Sequence, residues 1–442
     1  MSLSRISSVP DRFGYYWIAI VYYLNAMGAY QIFSIPLQWL GSLLAVLSIV
    51  LVLYKERGFH KIYIYPLLFI LIMFFISVLG WRFWSAYVDF AALLPKGATT
   101  SYYLFIFLRY FQYLVFIAVY IISLNHLNSN SFFSLAKIVV VGGVVISLYA
   151  IYVYVAQIYG LPEIPRGRIG TGGEEQSVTF TYAFHRAMGS FREPSHLAEW
   201  LVLPFFMTFW RKTYWNLSAR ITIVFVILLT GSLTGIIAVS IGYLFAILLV
   251  FQLRIALMNI LKIGLVLLFS GYLFSIIVFP NEGGSADIFA VLLDRIIPIL
   301  EDGLGASNRG HIYEYVTQHS IPLIGYGFGN ANLLIGEYMG LGLMGSFLSF
   351  YLNMLYSLGY LGFLFAIIVL IAPVFLLLRF RAIDKDRLFV LLGAYFGWLL
   401  IYSGLTEELS ISFAILYAAC VHYYRCQLET ISLNRSTISA AI

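Results

Sequence analysis

Side chains that bind phosphate are concentrated between residues 160 and 199. The arginines of this segment are Arg166, Arg168, Arg186 and Arg192. A guanidinium group stays charged at any physiological pH and can contact two phosphate oxygens at once. Because four such groups are so close in sequence, we predict that the segment binds an anionic partner. The alternative is that the arginines only pair with neighbouring acids, which are Glu163, Glu174, Glu175, Glu193 and Glu199.

The same segment contains groups that can accept or donate a proton, namely His185, His196 and Glu193. Pro194 and Ser195 precede an apolar run, which is typical of a helix start, and Ser195 is the predicted N-cap. Backbone N–H groups at a helix start favour anions. We therefore expect Glu193 and His196 to lie beside an anion at the membrane surface.

A second polar segment, between residues 280 and 346, contains Arg309, His311 and Glu314. It also contains three glycines at alternate positions within 325–329. These glycines do not follow a strand of a βαβ unit, which excludes a dinucleotide site. We predict instead that they let the backbone approach a neighbouring element or a ligand closely.

Three further charged residues lie within or between apolar runs. Arg109 lies well inside an apolar run, where a charge is costly unless it has a buried partner or reaches the membrane surface. Both explanations stay open for Arg109. Glu407 and Glu408 occupy a short turn between two apolar runs. They either face the same cavity as the arginines or cap the turn.

The composition predicts that membrane-spanning helices position these residues. Hydrophobic residues make up 62% of the 442-residue chain and charged residues only 10%. Soluble domains are about 25% charged, so most of this surface must face lipid. Apolar runs predict an all-α polytopic membrane protein with about twelve transmembrane helices. They are at 14–34, 37–54, 62–80, 103–124, 132–159, 196–210, 219–230, 232–252, 260–279, 357–378, 388–403 and 409–424.

Two of the apolar runs are longer than a single span. The run at 219–252 is divided at Gly231, because the sequence TGS at 230–232 interrupts it. The run at 346–378 is interpreted as an interfacial helix followed by a span.

The placement of basic residues predicts the orientation. If the N-terminus is cytoplasmic, most Lys and Arg residues fall in cytoplasmic connections and most acids fall outside, as expected for a membrane protein. An even number of spans then places both termini in the cytoplasm. Residues 160–195 and 280–346 become long outer loops with short amphipathic helices. We expect residues 1–442 to form a single integral membrane domain with its chemistry on the outer side.

Three stretches of the chain form an ordered set of motifs. The run GSFREPSHLA at 189–198 precedes a span, and TGSLTG at 230–235 begins a later one. The third stretch extends from Arg309 through PLIGYG at 322–327 to LGYLG at 358–362. In order and predicted sidedness, these stretches resemble the superfamily of bacterial O-antigen polymerases and O-antigen ligases. The resemblance covers roughly residues 160–380.

The resemblance implies a GT-C-like glycosyltransferase in the bacterial cytoplasmic (inner) membrane. The implied reaction joins oligosaccharide repeat units, carried on undecaprenyl pyrophosphate, into O-antigen or a related surface polysaccharide. It implies no metal ion and no cofactor. The implied partners are the undecaprenyl-pyrophosphate-linked donor and acceptor, membrane lipid and a chain-length regulator protein, with no nucleic acid.

Within that reaction, Arg192 and Arg309 are expected to stabilise the leaving pyrophosphate. The first candidate for the general base on the acceptor hydroxyl is Glu193, followed by His196, His311 and Glu407. The remaining side chains expected to bind pyrophosphate or substrate are Arg166, Arg168, Arg186, Arg109, His185 and Glu314.

One departure favours a polymerase over a ligase. Ligases of this superfamily carry a His-Asn pair before the Leu-Gly-x-x-Gly element, whereas the corresponding stretch here, GSFLSFYLN at 345–353, has no histidine. A ligase stays an alternative. The alternative from a different class is a flippase for the same lipid-linked oligosaccharide, but alternating access would place paired charges along the spans.

Overall fold

The computed structural model describes residues 12–33, 35–56, 61–95, 101–127, 131–165, 186–251, 310–340, 345–379 and 384–441. Helices make up most of this part of the chain. They are α1 (Arg12–Asn25), α2 (Leu37–Glu56), α3 (Lys61–Trp84), α4 (Tyr102–His126), α5 (Ser131–Tyr159), α6 (Pro194–Met207), α7 (Tyr214–Leu229), α8 (Leu233–Val250), α9 (Gly310–Gln318), α10 (Asn330–Tyr338), α11 (Phe350–Leu378), α12 (Lys385–Gly404) and α13 (Ile411–Ala441). Strands β1 (Gln31–Ile32) and β2 (Ile35–Pro36) form a short antiparallel hairpin.

Among the described residues, six helices are long and apolar enough to cross a membrane. These are helices α3, α4, α5, α8, α11 and α12. Their outward faces carry large exposed apolar side chains, such as Leu361 and Leu364 on α11. A helical surface of this kind is stable in lipid, so the chain is a membrane-embedded helical protein.

The predicted spans agree with the helices in most places. Eleven of them overlap a helix, and the span at 260–279 lies outside the described residues. Since only six described helices meet the length and hydropathy requirements, the total of about twelve spans stays a prediction. The first predicted span, 14–34, is wrong at its end, because α1 stops at Asn25 and the chain turns into the β1–β2 hairpin.

Both interruptions of the long apolar runs are confirmed. Helix α7 ends at Leu229 and α8 begins at Leu233, with Gly231 between them at a φ of 55°. The later run contains a short helix followed by a long one. The two meet at Gly359, whose backbone is not helical (φ 73°, ψ −175°). A positive φ is readily adopted only by glycine, so both breaks fall where a glycine permits them.

Small residues set the closest helix contacts in the core. Helix α12 packs against α8 and α6. A side chain at Gly393 would overlap the ring of Phe206 on α6, and one at Gly242 would contact the backbone of Gly393. Membrane helices commonly approach through such small residues, because lipid supplies no hydrophobic force between them.

Connections from distant parts of the sequence meet at one end of the bundle. Ser190 accepts a hydrogen bond from the Ala29 backbone N–H through its carbonyl (3.0 Å) and donates one through its hydroxyl to the Ala26 carbonyl (2.6 Å). The Ala187 N–H donates to the Leu229 carbonyl at 3.0 Å. We call this end, formed by residues 26–33, 35–36, 186–193, 320–340, 345–349 and 405–410, the cavity end.

Basic residues gather at the opposite end. The Arg387 guanidinium pairs with Asp384 at 2.9 Å and lies 4.9 Å from the centre of the Trp210 ring. Arg220 stacks on Phe209 at 3.5 Å. Other basic residues in the chain segments at this end are Arg211, Lys212, Arg379 and Lys385. This end of the bundle is therefore rich in basic side chains.

The glycine-rich loop at 325–329 packs tightly between helices. The N–H groups of Tyr326 and Gly327 donate to the carbonyls of Tyr356 (2.9 Å) and Ser357 (2.8 Å) on α11. A side chain at Gly325 would overlap the backbone of Ser357 and Leu358. The prediction that these glycines permit close backbone approach to a neighbouring element is confirmed.

This contact generates a stability prediction. We expect Gly325→Ala to lower the free energy of unfolding by about 3 kcal/mol, because the new methyl group must displace helix backbone rather than a flexible side chain. The measurement is thermal unfolding of the purified protein in detergent, followed by tryptophan fluorescence. Ser320→Ala, which changes an exposed side chain nearby, is the matched control and should alter stability by less than about 0.5 kcal/mol. Equal unfolding temperatures for the two variants would contradict the packing described.

Candidate functional site

A cavity of about 270 Å³ opens at the cavity end of the bundle. Its walls come from α2, α4, the start of α6, Trp398 on α12 and residues 406–412. The ionisable side chains in the wall are Arg192, His196, Glu199 and Glu408. The wall therefore combines polar groups with the apolar side chains of Trp39, Phe111 and Val115.

Arg192 lies in this wall immediately before α6 and is exposed. Its guanidinium makes no hydrogen bond or ion pair with any residue that the structure describes. The prediction that Ser195 is the N-cap of this helix is wrong. The helix begins at Pro194, and Glu193 occupies the N-cap position without a side-chain cap. Proline suits the first helical position because it has no N–H to satisfy and its φ is preset.

His196 and Glu199 form a pair in the cavity wall. The Nδ1 atom of His196 lies 3.4 Å from Oε2 of Glu199, one helical turn further along. The Nε2 atom lies 4.0 Å from Oε2 of Glu193, which is exposed and accepts a hydrogen bond from the Ser195 hydroxyl. Glu199 is buried, so its carboxylate is fixed beside the imidazole ring. A carboxylate in this position orients the ring and stabilises its protonated form.

Arg109 has the partner that its position required. Its Nη1 atom lies 2.5 Å from Oε1 of Glu408, and both side chains are largely buried. The ring of Phe105 lies 5.3 Å from the guanidinium. Glu408 itself lines the cavity, as does Gln112, one turn along α4 from Arg109. Of the two alternatives left open for Glu408, its position in the cavity wall supports the first, and the pair leaves no net charge there.

Glu407 points to a different part of the protein. Its buried carboxylate accepts hydrogen bonds from the Asn332 side chain (3.0 Å), the Phe347 N–H and the Leu348 N–H (3.2 Å). Burial raises the pKa of this carboxyl group, opposed by the positive charge of Arg109. Glu407 therefore joins the turn after α12 to α10 and to the backbone of Phe347 and Leu348, just before α11.

Aromatic and amide groups complete the cavity wall. The indole nitrogens of Trp200 and Trp398 and the Oε1 atom of Gln112 are buried, and none has a hydrogen-bond partner among the described residues. Buried polar atoms usually have partners, and leaving one unpaired costs about 1–3 kcal/mol. The wall therefore keeps hydrogen-bonding capacity unused beside flat apolar surfaces.

Among the other predicted site residues, Arg186, His311 and Glu314 are described by the structure and do not line this cavity. Arg186 donates from Nε to the Thr230 carbonyl at 2.7 Å, at the break between α7 and α8. His311 and Glu314 lie on α9, where Glu314 accepts from the Gln318 side chain at 3.1 Å. Arg166, Arg168, His185 and Arg309 lie outside the described residues.

Sequence reasoning missed Glu199 and Gln112 as site residues. A signal existed for Glu199, since it follows His196 by three positions and so shares its helix face. No comparable signal identified Gln112, which becomes part of the site only through helix packing. Within the described ranges, no group of three His, Cys, Asp or Glu side chains is placed to hold a metal ion.

The chain matches no protein-family model, and no curated protein shows a significant sequence similarity to it. The cavity and the sequence motifs are therefore the observations that bear on its function.

The buried position of Glu407 generates a pH prediction. Because the folded state holds this proton more tightly than the unfolded chain, its stabilising contribution is complete below pH 4.5 and is lost as the pH rises through the raised pKa. Glu407→Gln removes the titration and keeps an acceptor. We expect the unfolding temperature of the native protein, relative to Glu407→Gln, to fall as the pH rises from about 4.5 to neutrality.

The measurement is tryptophan-monitored thermal unfolding at several pH values. Glu314→Gln, at an exposed position, is the matched control and should keep the pH dependence of the native protein. A constant difference between the native protein and Glu407→Gln across the pH range would contradict the assignment.

Proposed function

We propose that this protein is a membrane glycosyltransferase that joins polyisoprenyl-pyrophosphate-linked oligosaccharides into a surface polysaccharide. The observation that carries the proposal is Arg192, which has no partner among the described residues and lies beside the His196–Glu199 pair in one cavity at the end of a bundle of apolar helices. An anion-binding group and a base in one cavity are what glycosyl transfer from a diphosphate donor requires.

The first requirement is stabilisation of the leaving group. Cleavage of the bond between the sugar C1 atom and the phosphate oxygen leaves a second negative charge on the terminal phosphate of the diphosphate. Arg192 supplies an uncompensated positive charge, whereas Arg109 is neutralised by Glu408. Positive charge placed where negative charge develops lowers the barrier. Arg192 is therefore the first candidate for the diphosphate contact.

The second requirement is removal of a proton from the acceptor. A hydroxyl oxygen of the acceptor sugar attacks C1 of the donor sugar and forms the new glycosidic bond. Its proton passes to Nε2 of His196, because Nδ1 faces Glu199. The imidazolium is stabilised by the Glu199 carboxylate until the proton is released to solvent. Glu193, the first candidate from sequence, is exposed and acts here only as a neighbour of His196.

The third requirement is recognition of sugar rings. Trp39, Gln38 and Gln112 are partly exposed in the cavity wall, whereas Trp200 and Trp398 border the cavity but are almost fully buried. Flat aromatic faces pack on the apolar faces of sugars, and amide groups hydrogen-bond hydroxyl groups. The mixture favours an oligosaccharide over a purely apolar ligand.

The orientation completes the proposal. Basic residues at the end opposite the cavity favour a cytoplasmic location for that end. The cavity then lies on the outer side of the bacterial cytoplasmic membrane, with both termini inside. There a membrane-bound chain-length regulator protein is a further candidate partner. The absence of a histidine from 345–353 favours a polymerase over a ligase.

We expect Arg192→Ala to reduce the rate of chain lengthening by roughly 100- to 1,000-fold, because it removes one charge contact with the leaving group. The measurement uses the purified protein in liposomes with lipid-linked repeat units, and products are separated by length on gels. Arg82→Ala, an exposed arginine on α3 outside the cavity wall, is the control and should retain activity. Long chains made by Arg192→Ala at normal rate would overturn the role of Arg192.

We expect His196→Gln to reduce the rate roughly 100-fold or more, with little change in donor binding, because the base is lost and the side-chain volume is nearly kept. In Glu199→Gln the imidazolium loses its stabilising charge, so the rising limb of the pH–rate profile should move to lower pH. Steady-state kinetics across a pH series provide both readouts. An unchanged pH profile in both variants would exclude His196 as the base. Movement of lipid across the bilayer without chain lengthening would instead support the flippase.

A further inference from the structure

We propose that the cavity continues sideways into a path for an isoprenoid chain, formed by one apolar row on α2 and one on α4. This path rests on the proposed function, and it is where the lipid tail of the substrate lies while the diphosphate is near Arg192. The occupant is the polyisoprenyl chain of a polyisoprenyl diphosphate.

The row on α2 begins inside the cavity and continues onto the lipid-facing surface. Trp39, Leu43 and Leu47 follow each other at intervals of four residues, so they lie along one face of the helix. Trp39 lines the cavity. Leu43 and Leu47 are 44% and 60% exposed. The row therefore connects the cavity wall to the surface that a bilayer covers.

The row on α4 has the same character. Phe107, Phe111 and Leu114 are four and three residues apart, which again places them on one face. Phe111 lines the cavity, whereas Phe107 and Leu114 are 55% and 44% exposed. The rings of Phe107 and Phe111 are 6.1 Å apart, so the row is continuous.

The geometry of the helices brings the two rows to the same side of the cavity. Both helices start at the cavity end and pack against each other. Viewed from that end, each residue is rotated clockwise from the previous one by about 100°. On α2, Leu43 lies clockwise of the cavity-lining Ser42. On α4, Phe107 and Leu114 lie anticlockwise of the cavity-lining Gln112 and Val115.

The α2 row is displaced clockwise from the cavity lining and the α4 row anticlockwise. Because the two helices flank one cavity, both rows lie toward the same outer side of it. The rows thus border the cavity where α2 and α4 meet the lipid. An amphiphile fits this arrangement, because the cavity provides an unpaired cation for an anionic head group and the rows provide apolar surface for a chain. A free sugar phosphate would use the cavity and leave the rows without a role.

The test is site-specific photocrosslinking of the full chain in phospholipid nanodiscs. The benzophenone amino acid p-benzoylphenylalanine replaces Leu43 or Phe107 on the rows. Leu364 or Ile368 on α11, both 59% exposed, are the matched control positions. The probe is radiolabelled undecaprenyl diphosphate without a sugar, so the readout does not require glycosyl transfer.

We expect roughly tenfold more crosslinking at the two row positions than at the two control positions, because a bound chain excludes bulk lipid there. Unlabelled undecaprenyl diphosphate should compete, whereas undecaprenol, which lacks the diphosphate, should compete poorly. Arg192→Ala should reduce crosslinking at the rows to the control level. Equal crosslinking at all four positions, or equal competition by undecaprenol, would overturn the path.

The outcomes separate this inference from the proposed function. Equal crosslinking together with normal chain lengthening would overturn the path and leave glycosyl transfer standing. Preferential crosslinking without chain lengthening would uphold the path and count against glycosyl transfer.

Discussion

The cost of an unpaired charge among apolar helices is the constraint on which the arrangement depends. A charged side chain at a helix end must find a partner, reach water or bind a ligand of opposite sign. Arg109 solves this problem with Glu408, and Arg387 solves it with Asp384 and the ring of Trp210. Arg192 has no such partner among the described residues, and it is exposed in a cavity wall, where water solvates its charge. An anionic ligand can replace that water, whereas the paired guanidinium of Arg109 is already neutralised.

The cavity is held in place by hydrogen bonds and packing contacts that take no part in the proposed reaction. Ser190 joins the segment before α6 to the turn after α1, so the backbone close to Arg192 is held against that turn. Glu407 joins the turn that carries Glu408 to α10 and to the approach to α11. The glycine loop at 325–329 packs against the bend at Gly359. A site on a rigid frame of this kind loses little free energy to reorganisation when charge develops.

The position of the cavity also suits an amphiphilic substrate. Its polar wall faces the connections between helices, and its apolar wall continues onto α2 and α4. A soluble enzyme encloses its substrate completely, whereas a membrane enzyme can leave the lipid tail in the bilayer. A membrane enzyme of this kind needs to bind only the head group and the first part of the tail, which reduces the ordering cost of binding a long flexible molecule.

The sequence by itself determined the helical membrane architecture, the break at Gly231 and the division of the apolar run at 346–378 into two helices. These features depend on local hydropathy and backbone freedom, which are properties of neighbouring residues. It could not determine which charges pair. Arg109 and Glu408 are 299 positions apart, and Glu407, adjacent to Glu408, faces a different element. Only the tertiary structure decides such contacts, because helix packing sets which side chains share a space, and sequence spacing carries no information about distances between helices.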